Sequence, residues 1–219
     1  MSIPKLIIFD MDGLMLDTEP MAIQGWKDAA AKLGIDIPED LYPRLIGLNR
    51  TLCKKVMQEH LGPSFDFDAA HAILHQSMDA HIDAHGIPHK TGLLHLLDKL
   101  EEKGIKKCVA TGTAYNRAIQ KLTIASIAHR FEMIVGGDQV QRSKPAPDIF
   151  LKAAQECNTA PKDCIVLEDS NPGATGAHAA GMRVIVVPDL VPPTDETTQN
   201  AFAICQDLYQ AWDIVQSLP

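Results

Sequence analysis

Short apolar runs alternate with helical patterns along most of this 219-residue chain, and this alternation constrains its fold more than any other feature. Short runs rich in β-branched residues are typical of buried strands, whereas apolar residues spaced three or four apart indicate helices. Alternation of the two predicts an α/β fold, a doubly wound parallel sheet with helices on both faces. The predicted strands are residues 6–9, 107–110, 133–135, 164–167 and 184–187, and the predicted helices of this part are residues 92–103, 116–124, 147–155 and 171–180.

The alternation is interrupted once, between the first predicted strand and about residue 91. Helical patterns at residues 20–33, 50–60 and 68–81, separated by Gly and Pro, fill this stretch. We therefore predict an α/β core of residues 1–16 and 92–219 and an inserted helical cap domain of residues 17–91. Such a cap can close over the carboxyl edge of the sheet. After Pro188 we expect a loop and then one amphipathic helix at residues 208–215.

Composition and charge narrow the classes of partner. With 46% hydrophobic and 22% charged residues the chain is an ordinary globular protein. A net charge of −8 disfavours nucleic acid or an anionic membrane as the main partner. Apolar runs are too short for a spanning helix, and the run before Asp10 is too short for a signal peptide. Five cysteines without C-x-x-C spacing are expected to be reduced and buried, in a cytoplasmic protein. The pattern does not determine the oligomeric state, and a monomer is the working expectation.

Two carboxylates follow the first predicted strand in Asp10-Met11-Asp12-Gly13. Side chains alternate along an extended backbone, so Asp10 and Asp12 lie on one side, and Gly13 permits a tight turn. This arrangement suits a nucleophile and a metal ligand at the ligand-binding edge of a sheet. An ordinary turn remains an alternative. A calcium loop is disfavoured because Leu14 stands where a third oxygen ligand is needed.

Three further motifs fall at predicted strand ends. Thr111-Gly112-Thr113 offers hydroxyls and a backbone amide to a phosphate, and Lys144 sits in a proline-stiffened segment. Glu168-Asp169 ends another strand and supplies the oxygen ligands that Mg²⁺ prefers. Each has a structural alternative: a capping Thr, a solvated Lys, and acids that cap the next helix. Because parallel strands end at one edge, their joint occurrence favours a single phosphate and metal site.

These motifs together resemble the haloacid dehalogenase superfamily of phosphotransferases. The matching elements occur in the family's order and span the chain: Phe9-Asp10-Met11-Asp12-Gly13, Thr111, Lys144 and Glu168-Asp169-Ser170, followed by Gly173 and Gly181-Met182. Asp17-Thr18-Glu19-Pro20 and the helical insertion resemble the subgroup that contains β-phosphoglucomutase and many sugar-phosphate and nucleotide phosphatases.

The resemblance implies a phosphatase that hydrolyses a small phosphorylated metabolite, a sugar or polyol phosphate, through an aspartyl-phosphate. Asp10 would be the nucleophile, and Asp12 would be the general acid and then the base. A second Asp also argues against a dehalogenase, because a halide needs no acid to leave. The residues expected to hold phosphate oxygens are Thr111, Gly112, Thr113 and Lys144.

The resemblance also implies Mg²⁺ as the cofactor. Asp10, the backbone carbonyl of Asp12 and Asp169 would hold the ion, with Glu168 as a direct or water-mediated ligand. The ion would screen the Asp10 carboxylate from the phosphate anion.

A β-phosphoglucomutase-type isomerase and a non-catalytic phosphate-binding protein are the alternatives. Ala22 stands where the mutase has a His, and residues 113–116 lack the mutase's Lys, so both positions favour hydrolysis. Intact Asp10 and Asp12 give the non-catalytic alternative no support. Arg50 falls where the mutase has a cap arginine for a second phosphate, although a solvated residue at a helix start fits equally.

Four histidines form two pairs with i,i+4 spacing in the predicted cap, His71 with His75 and His81 with His85. This spacing can bind Zn²⁺ on a helix face. Without a third ligand fixed by the sequence, a polar exposed face is the favoured interpretation.

Overall fold

The computed structural model describes residues 3–219, and within them the chain forms a six-stranded parallel sheet. The strands are β1 (Leu6–Phe9), β2 (Lys106–Ala110), β3 (Met133–Val135), β4 (Cys164–Glu168), β5 (Arg183–Val186) and β6 (Ala203–Ile204). Their order is β3-β2-β1-β4-β5-β6, which places β1 at the centre with Ile8 between Cys108 and Val166. The chain crosses over beside β1, and open α/β sheets bind ligands at such a switch point.

Helices cover both faces of this sheet. Within the described residues the helices are α1 (Glu19–Leu33), α2 (Arg50–Leu61), α3 (Phe67–His85), α4 (Leu93–Glu102), α5 (Tyr115–Ile124), α6 (Asp148–Glu156), α7 (Asn171–Ala179), α8 (Asp195–Asn200) and α9 (Leu208–Gln216), of which α1, α2 and α3 belong to the inserted segment and not to the faces of the sheet. Ile7 and Phe9 of β1 pack on the face covered by α4, α5 and α9, whereas Leu6 and Ile8 pack with α6 and α7. Because successive side chains point to opposite faces, β1 is apolar throughout. The predicted doubly wound α/β core is confirmed.

The tail after Pro188 differs from its prediction as a loop followed by one helix. A short helix, α8, and a two-residue strand, β6, precede α9. The β6 segment is held to β5 by hydrogen bonds from the amides of Phe202 and Cys205 to the carbonyls of Val184 and Val186, both 2.8 Å. A strand this short has no periodicity to detect, and its position depends on these long-range bonds.

Helices α1, α2 and α3 lie in the segment predicted as the cap, and a 3₁₀ segment, Glu39–Leu45, connects the first two. Helix α1 has Pro20 in its first turn and ends at Gly34, whose φ of 66° only glycine adopts readily. The α1 and α3 backbones approach closely at Gly25, where a Cβ would stand 3.0 Å from the backbone carbonyl oxygen of Leu74. The division at residues 17–91 stays a prediction.

The two connections between cap and core run side by side. The Asp17 amide donates to the Pro88 carbonyl and the Lys90 amide to the Met15 carbonyl, both at 2.9 Å. Farther out, the cap touches the carboxyl edge of the sheet: Asn49 hydrogen-bonds Ser143, and a Cβ on Gly47 would stand 2.8 Å from Cβ of Ser170. The cap therefore covers the edge where the predicted site residues lie. Within residues 3–219, none of the helices has the length and apolarity to cross a membrane.

Candidate active site

The Asp10 carboxyl lies at the carboxyl end of the central strand. The Asp10 amide donates to the Leu167 carbonyl at 3.0 Å, so the sheet pairing continues to this residue. The chain then turns at Gly13, whose φ is 84°. A Cβ at this position would also stand 2.4 Å from Oδ2 of Asp169. Glycine is thus required both for the turn and for the close approach of a second carboxylate.

Lys144 is part of the site and not a solvated surface residue. Its side chain is 7% exposed, and its Nζ hydrogen-bonds the Asp10 carboxylate and lies 2.5 Å from Oε1 of Glu168. A cation between two buried carboxylates offsets part of the cost of burying them. Lys144 therefore fixes the orientation of the Asp10 side chain.

Glu168 and Asp169 do not cap the helix that follows them. The cap of α7 is Ser170, whose hydroxyl accepts from the Gly173 amide at 3.1 Å. Glu168 is fully buried, and its Oε2 accepts from the Ser170 amide at 2.8 Å and the Ser170 hydroxyl at 2.9 Å. The capping alternative is therefore wrong, and the Asp169 carboxylate is left facing Asp10.

Asp10, Glu168 and Asp169 could hold a metal ion, because one carboxylate oxygen from each lies within 4.8 Å of the others. An all-carboxylate donor set fits a hard cation such as Mg²⁺. Burial raises the pKa of Asp10 to about 7, with Lys144 opposing and Glu168 adding to the rise. Burial, Glu168 and Asp10 raise the pKa of Asp169 well above its usual value. A bound cation would relieve this crowding of acids.

The Asp12 carboxylate is held by three donors. Oδ1 accepts from Lys121 Nζ at 2.6 Å and from the Thr18 hydroxyl at 2.7 Å, and Oδ2 accepts from the Thr113 hydroxyl at 2.7 Å. Burial alone would raise the pKa of Asp12, but the Lys121 ammonium and these hydrogen bonds hold it below its usual value. Asp12 is therefore positioned separately from Asp10, by a different lysine.

Lys121 was missed by the sequence reasoning, although the sequence carries a signal. It lies on the buried face of α5 with Ala118 and Leu122, at the i, i+3, i+4 spacing of an apolar helix stripe. A lysine on such a stripe is rarely buried without a partner.

Thr111 does not cap the helix after it, since α5 starts after Ala114 without a side-chain cap. Thr111 is buried, and its hydroxyl accepts from the Thr113 amide at 3.1 Å. Gly112 is exposed on the cavity wall. The Thr113 hydroxyl, predicted to bind phosphate, instead donates to Asp12 in this structure.

A cavity of about 340 Å³ separates this edge of the sheet from the cap. The structure brings every predicted site residue to its wall except Glu168, which lies buried behind Lys144 and Ser170. The predicted residues that line it are Asp10, Asp12, Arg50, Thr111, Gly112, Thr113, Lys144 and Asp169.

Arg50 reaches the cavity from α2 but already has a partner. Its Nη2 lies 2.6 Å from Oδ1 of Asp68, and its side chain is 62% exposed. To bind a second phosphate, Arg50 would have to exchange Asp68 for that ligand, so its role stays a prediction.

The expected exposed face of histidines is wrong for one of the two pairs. His71 and His75 are half-buried, line the cavity and place their Nε2 atoms 3.2 Å apart. Burial lowers the pKa of both, that of His71 to about 4, so both imidazoles are neutral at pH 7. His81 and His85, beyond the cavity on α3, are exposed as expected.

Glu19 is a second cavity residue to which the sequence reasoning assigned no role. Burial raises its pKa to about 8, with contributions from the nearby charges of Asp12 and Asp189. The acids of the cavity wall are matched in number by basic side chains, which are Arg50, Arg117, Lys121 and Lys144.

The sequence and structure are similar to those of known phosphate-transferring enzymes. A family model of haloacid dehalogenase-like hydrolases matches residues 7–187. Protein CbbY of Rhodobacter capsulatus is 35% identical over 84% of this chain and 85% of its own length. Fructose-1-phosphate phosphatase YqaB of Escherichia coli K12 is 31% identical over 83% of this chain and 95% of its own. The crystal structure of β-phosphoglucomutase from Clostridium difficile superposes with a TM-score of 0.81 and 25% identity, covering 97% and 96% of the two chains.

These relatives identify the class of enzyme to which the chain is similar. They confirm the predicted class of enzyme, a phosphoric monoester hydrolase with a capped α/β core. The chain belongs to the haloacid dehalogenase-like hydrolase family.

Proposed function

We propose that this protein is a Mg²⁺-dependent phosphatase that hydrolyses a small sugar or polyol phosphate through an aspartyl-phosphate on Asp10. The main observation behind the proposal is that two carboxylates at one cavity have different hydrogen-bond partners. Lys144 donates to Asp10, whereas Lys121 and two hydroxyl groups donate to Asp12. Two neighbouring acids in different environments can take different roles, here nucleophile and proton carrier.

In the first step a carboxylate oxygen of Asp10 attacks phosphorus, and the bond from phosphorus to the alcohol oxygen breaks. Asp12, in its protonated form, gives its proton to that oxygen, so a neutral alcohol leaves. Lys144, the Thr111 hydroxyl and the Gly112 amide bind the phosphoryl oxygens and stabilise their charge. Lys144 also keeps the Asp10 oxygen directed at the cavity.

In the second step water attacks the phosphorus of the aspartyl-phosphate, and Asp12, now a carboxylate, takes the proton from that water. The bond between Asp10 and phosphorus breaks, which releases phosphate and restores both carboxyl groups. Mg²⁺, held by Asp10, Asp169 and the Asp12 carbonyl with Glu168 as a direct or water-mediated ligand, would neutralise charge between the nucleophile and the phosphate.

The size and lining of the cavity support a small substrate. A volume of about 340 Å³ is near the lower end for ligand pockets, which suits a sugar or polyol phosphate better than a nucleotide. The name of the relative YqaB specifies fructose 1-phosphate, a substrate of this size. The free, buried cysteines support the expected cytoplasmic location. Monomeric assembly stays an expectation.

An isomerase of the β-phosphoglucomutase type is the second candidate, and the likeness to the Clostridium difficile enzyme is the observation in its favour. Against it, Ala22 and Ala114 line the cavity and supply no polar group there. A non-catalytic phosphate-binding protein is the third candidate. Such a protein would not require a second carboxylate, Asp12, at the cavity wall.

Phosphate release from a panel of sugar, polyol and nucleoside phosphates tests the proposal, with Mg²⁺ and with EDTA. We expect release from several small sugar or polyol phosphates in Mg²⁺ and almost none in EDTA. Asp10→Asn should lose nearly all activity, because an amide is a poor nucleophile. Equal turnover by purified Asp10→Asn would contradict the proposed mechanism.

A further inference from the structure

Asp189 is a buried acid for which the proposed mechanism has no role. It follows β5, at the same edge of the sheet as Asp10, and its side chain is 8% exposed. One oxygen, Oδ1, lies 2.7 Å from Nζ of Lys90. The other, Oδ2, is buried and has no hydrogen-bond partner among residues 3–219. An unpaired buried oxygen of a charged group is costly, so Oδ2 calls for a partner that is not a protein atom.

The direction of Oδ2 indicates what that partner is. A Cβ on Gly13 would stand 3.4 Å from Oδ2 of Asp189 and 2.4 Å from Oδ2 of Asp169. Because Gly13 has no side chain, the two carboxylate oxygens face one shared space above it. Asp169 is one of the acids proposed to hold Mg²⁺, so this space adjoins the proposed ion site.

Asp189 is not placed to share the ion directly. The group of acids whose oxygens lie within 4.8 Å of one another contains Asp10, Glu168 and Asp169 and does not include Asp189. Mg²⁺ usually keeps several of its waters in protein sites, and these waters need acceptors. A carboxylate oxygen just outside the ligand group is such an acceptor.

We propose that Oδ2 of Asp189 accepts a hydrogen bond from a water molecule in the hydration shell of this Mg²⁺ ion. The inference rests on the metal site of the proposed function and adds a positioning residue to it. The proposal also explains why Lys90 contacts only Oδ1 of Asp189, because Oδ2 then accepts the hydrogen bond from the water.

The structural alternative is that Asp189 only anchors the cap connections. Lys90 lies in the second connection and also reaches Oδ1 of Asp17, in the first, at 3.5 Å. If anchoring were the whole role, removing either member of the Asp189–Lys90 pair would have the same effect. If Oδ2 serves the ion, only the loss of the carboxylate should weaken metal binding.

Calorimetric titration of substrate-free protein with MgCl₂ separates these roles, together with the melting temperature in EDTA. Asp189→Asn keeps the side-chain shape, and Asp189→Ser provides a second variant if the first does not fold. Outer acceptors of this kind typically contribute 10–100-fold to metal affinity, so we expect Mg²⁺ to bind at least about tenfold more weakly. Lys90→Met, the matched control, should bind Mg²⁺ as tightly as the wild type or more tightly, because it removes a nearby cation.

Unchanged Mg²⁺ affinity in the folded Asp189 variants would overturn the inference, and so would equal weakening in Lys90→Met. Asp169→Asn distinguishes this failure from failure of the proposed function. If wild type binds Mg²⁺ and Asp169→Asn does not, the ion site stands whatever the Asp189 variants show. If the wild type itself binds no Mg²⁺, the proposed metal site fails and the inference with it.

Discussion

Nζ of Lys121 lies 2.6 Å from Oδ1 of Asp12, and both side chains are largely withdrawn from solvent. The pair joins the last turn of α5 to the turn after β1, and the two residues are 109 positions apart in the sequence. It gives the proposed proton carrier an ammonium partner of its own, separate from the Lys144 that serves Asp10. The acidity of Asp12 is therefore set by a residue outside the motifs that mark the site.

Lys121→Met should move the basic limb of the pH profile of kcat/KM to higher pH. Lys121 lowers the pKa of Asp12, so its removal lets Asp12 keep the proton needed by the leaving alcohol to higher pH. An ammonium this close stabilises the carboxylate, so its loss moves the limb upward and not downward. The measurement is kcat/KM against pH with glycerol phosphate for wild type, Lys121→Met and Lys121→Arg.

Lys121→Arg keeps the cation, so the basic limb of its kcat/KM profile should lie close to that of the wild type. Titration of the substrate phosphate is common to all three enzymes and cancels in the comparison. With p-nitrophenyl phosphate the shift should be smaller, because nitrophenolate leaves without a proton. Superimposable profiles for wild type and Lys121→Met with glycerol phosphate would show that Lys121 does not act through Asp12.

The metal-free protein should lose stability as the pH rises from about 6.5 to 8. Burial raises the pKa of Asp10 to about 7 and that of Glu19 to about 8, and burial beside other acids also raises the pKa of Asp169 well above its usual value. Over this range the folded protein holds protons that the unfolded chain has already released, so the free energy of unfolding falls with pH. Below this pH range the lowered pKa values of His71 and His75 have the opposite effect, because they make the free energy of unfolding rise with pH.

Urea denaturation in EDTA at both pH values measures this effect. Asp169→Asn should flatten the dependence and raise the stability of the metal-free protein at pH 8 by at least about 1 kcal/mol, roughly 2–4 °C in Tm. Saturating Mg²⁺ should also reduce the change in wild-type stability between the two pH values. A wild-type protein more stable at pH 8 than at pH 6.5 in EDTA would contradict the crowded-acid description of the site.

Gly173→Ala should destabilise the protein by at least about 2 kcal/mol, because it forces apart a packed polar site. A Cβ at this position would stand 1.7 Å from Oε1 of Glu168, the oxygen that contacts Lys144. Gly112→Ala is the matched control, since a Cβ there meets no described atom within 4 Å, and it should change stability by less than about 0.5 kcal/mol. Denaturation midpoints of the two variants give the comparison, and equal midpoints would mean that Glu168 can move freely.

The core and the central acids could be predicted because they depend on local sequence. The run before Asp10 is apolar on both faces, which is the pattern of a strand buried in a parallel sheet. The carboxylates that follow this strand are therefore expected at the carboxyl edge of the sheet. Lys144 follows β3 by nine residues, and its side chain lies beside Asp10 at the edge where the carboxyl ends of the parallel strands meet.

What could not be predicted depends on contacts between distant segments. The place of Lys121 on an apolar helix stripe indicates burial, but its partner Asp12 becomes evident only when α5 packs beside the β1 turn. The half-buried state of His71 depends on the packing of α3 against Trp26 of α1. Strand β6 consists of two residues, and its hydrogen bonds to β5 come from a part of the chain with no strand pattern.

Water, rather than a rebinding sugar phosphate, should discharge the aspartyl-phosphate. Ala22, where the mutase has a His, and Ala114, in the stretch that lacks the mutase's Lys, line the cavity, and neither can hold a second phosphate or delay the proton transfer. A barrier difference of about 3 kcal/mol is enough to favour one outcome by more than a hundredfold. We expect phosphate release from sugar phosphates, and conversion of β-glucose 1-phosphate to glucose 6-phosphate at less than about a hundredth of that rate.

Simultaneous measurement of phosphate and glucose 6-phosphate from β-glucose 1-phosphate decides between the two outcomes. An Ala22→His variant sharpens the test, because it restores one of the two missing groups at the cavity wall. If the His controls the proton transfer, this variant should release phosphate more slowly than the wild type while folding equally well. Isomerisation faster than hydrolysis in the wild type would overturn the assignment as a phosphatase, and it would indicate that Arg50 leaves Asp68 to bind the second phosphate.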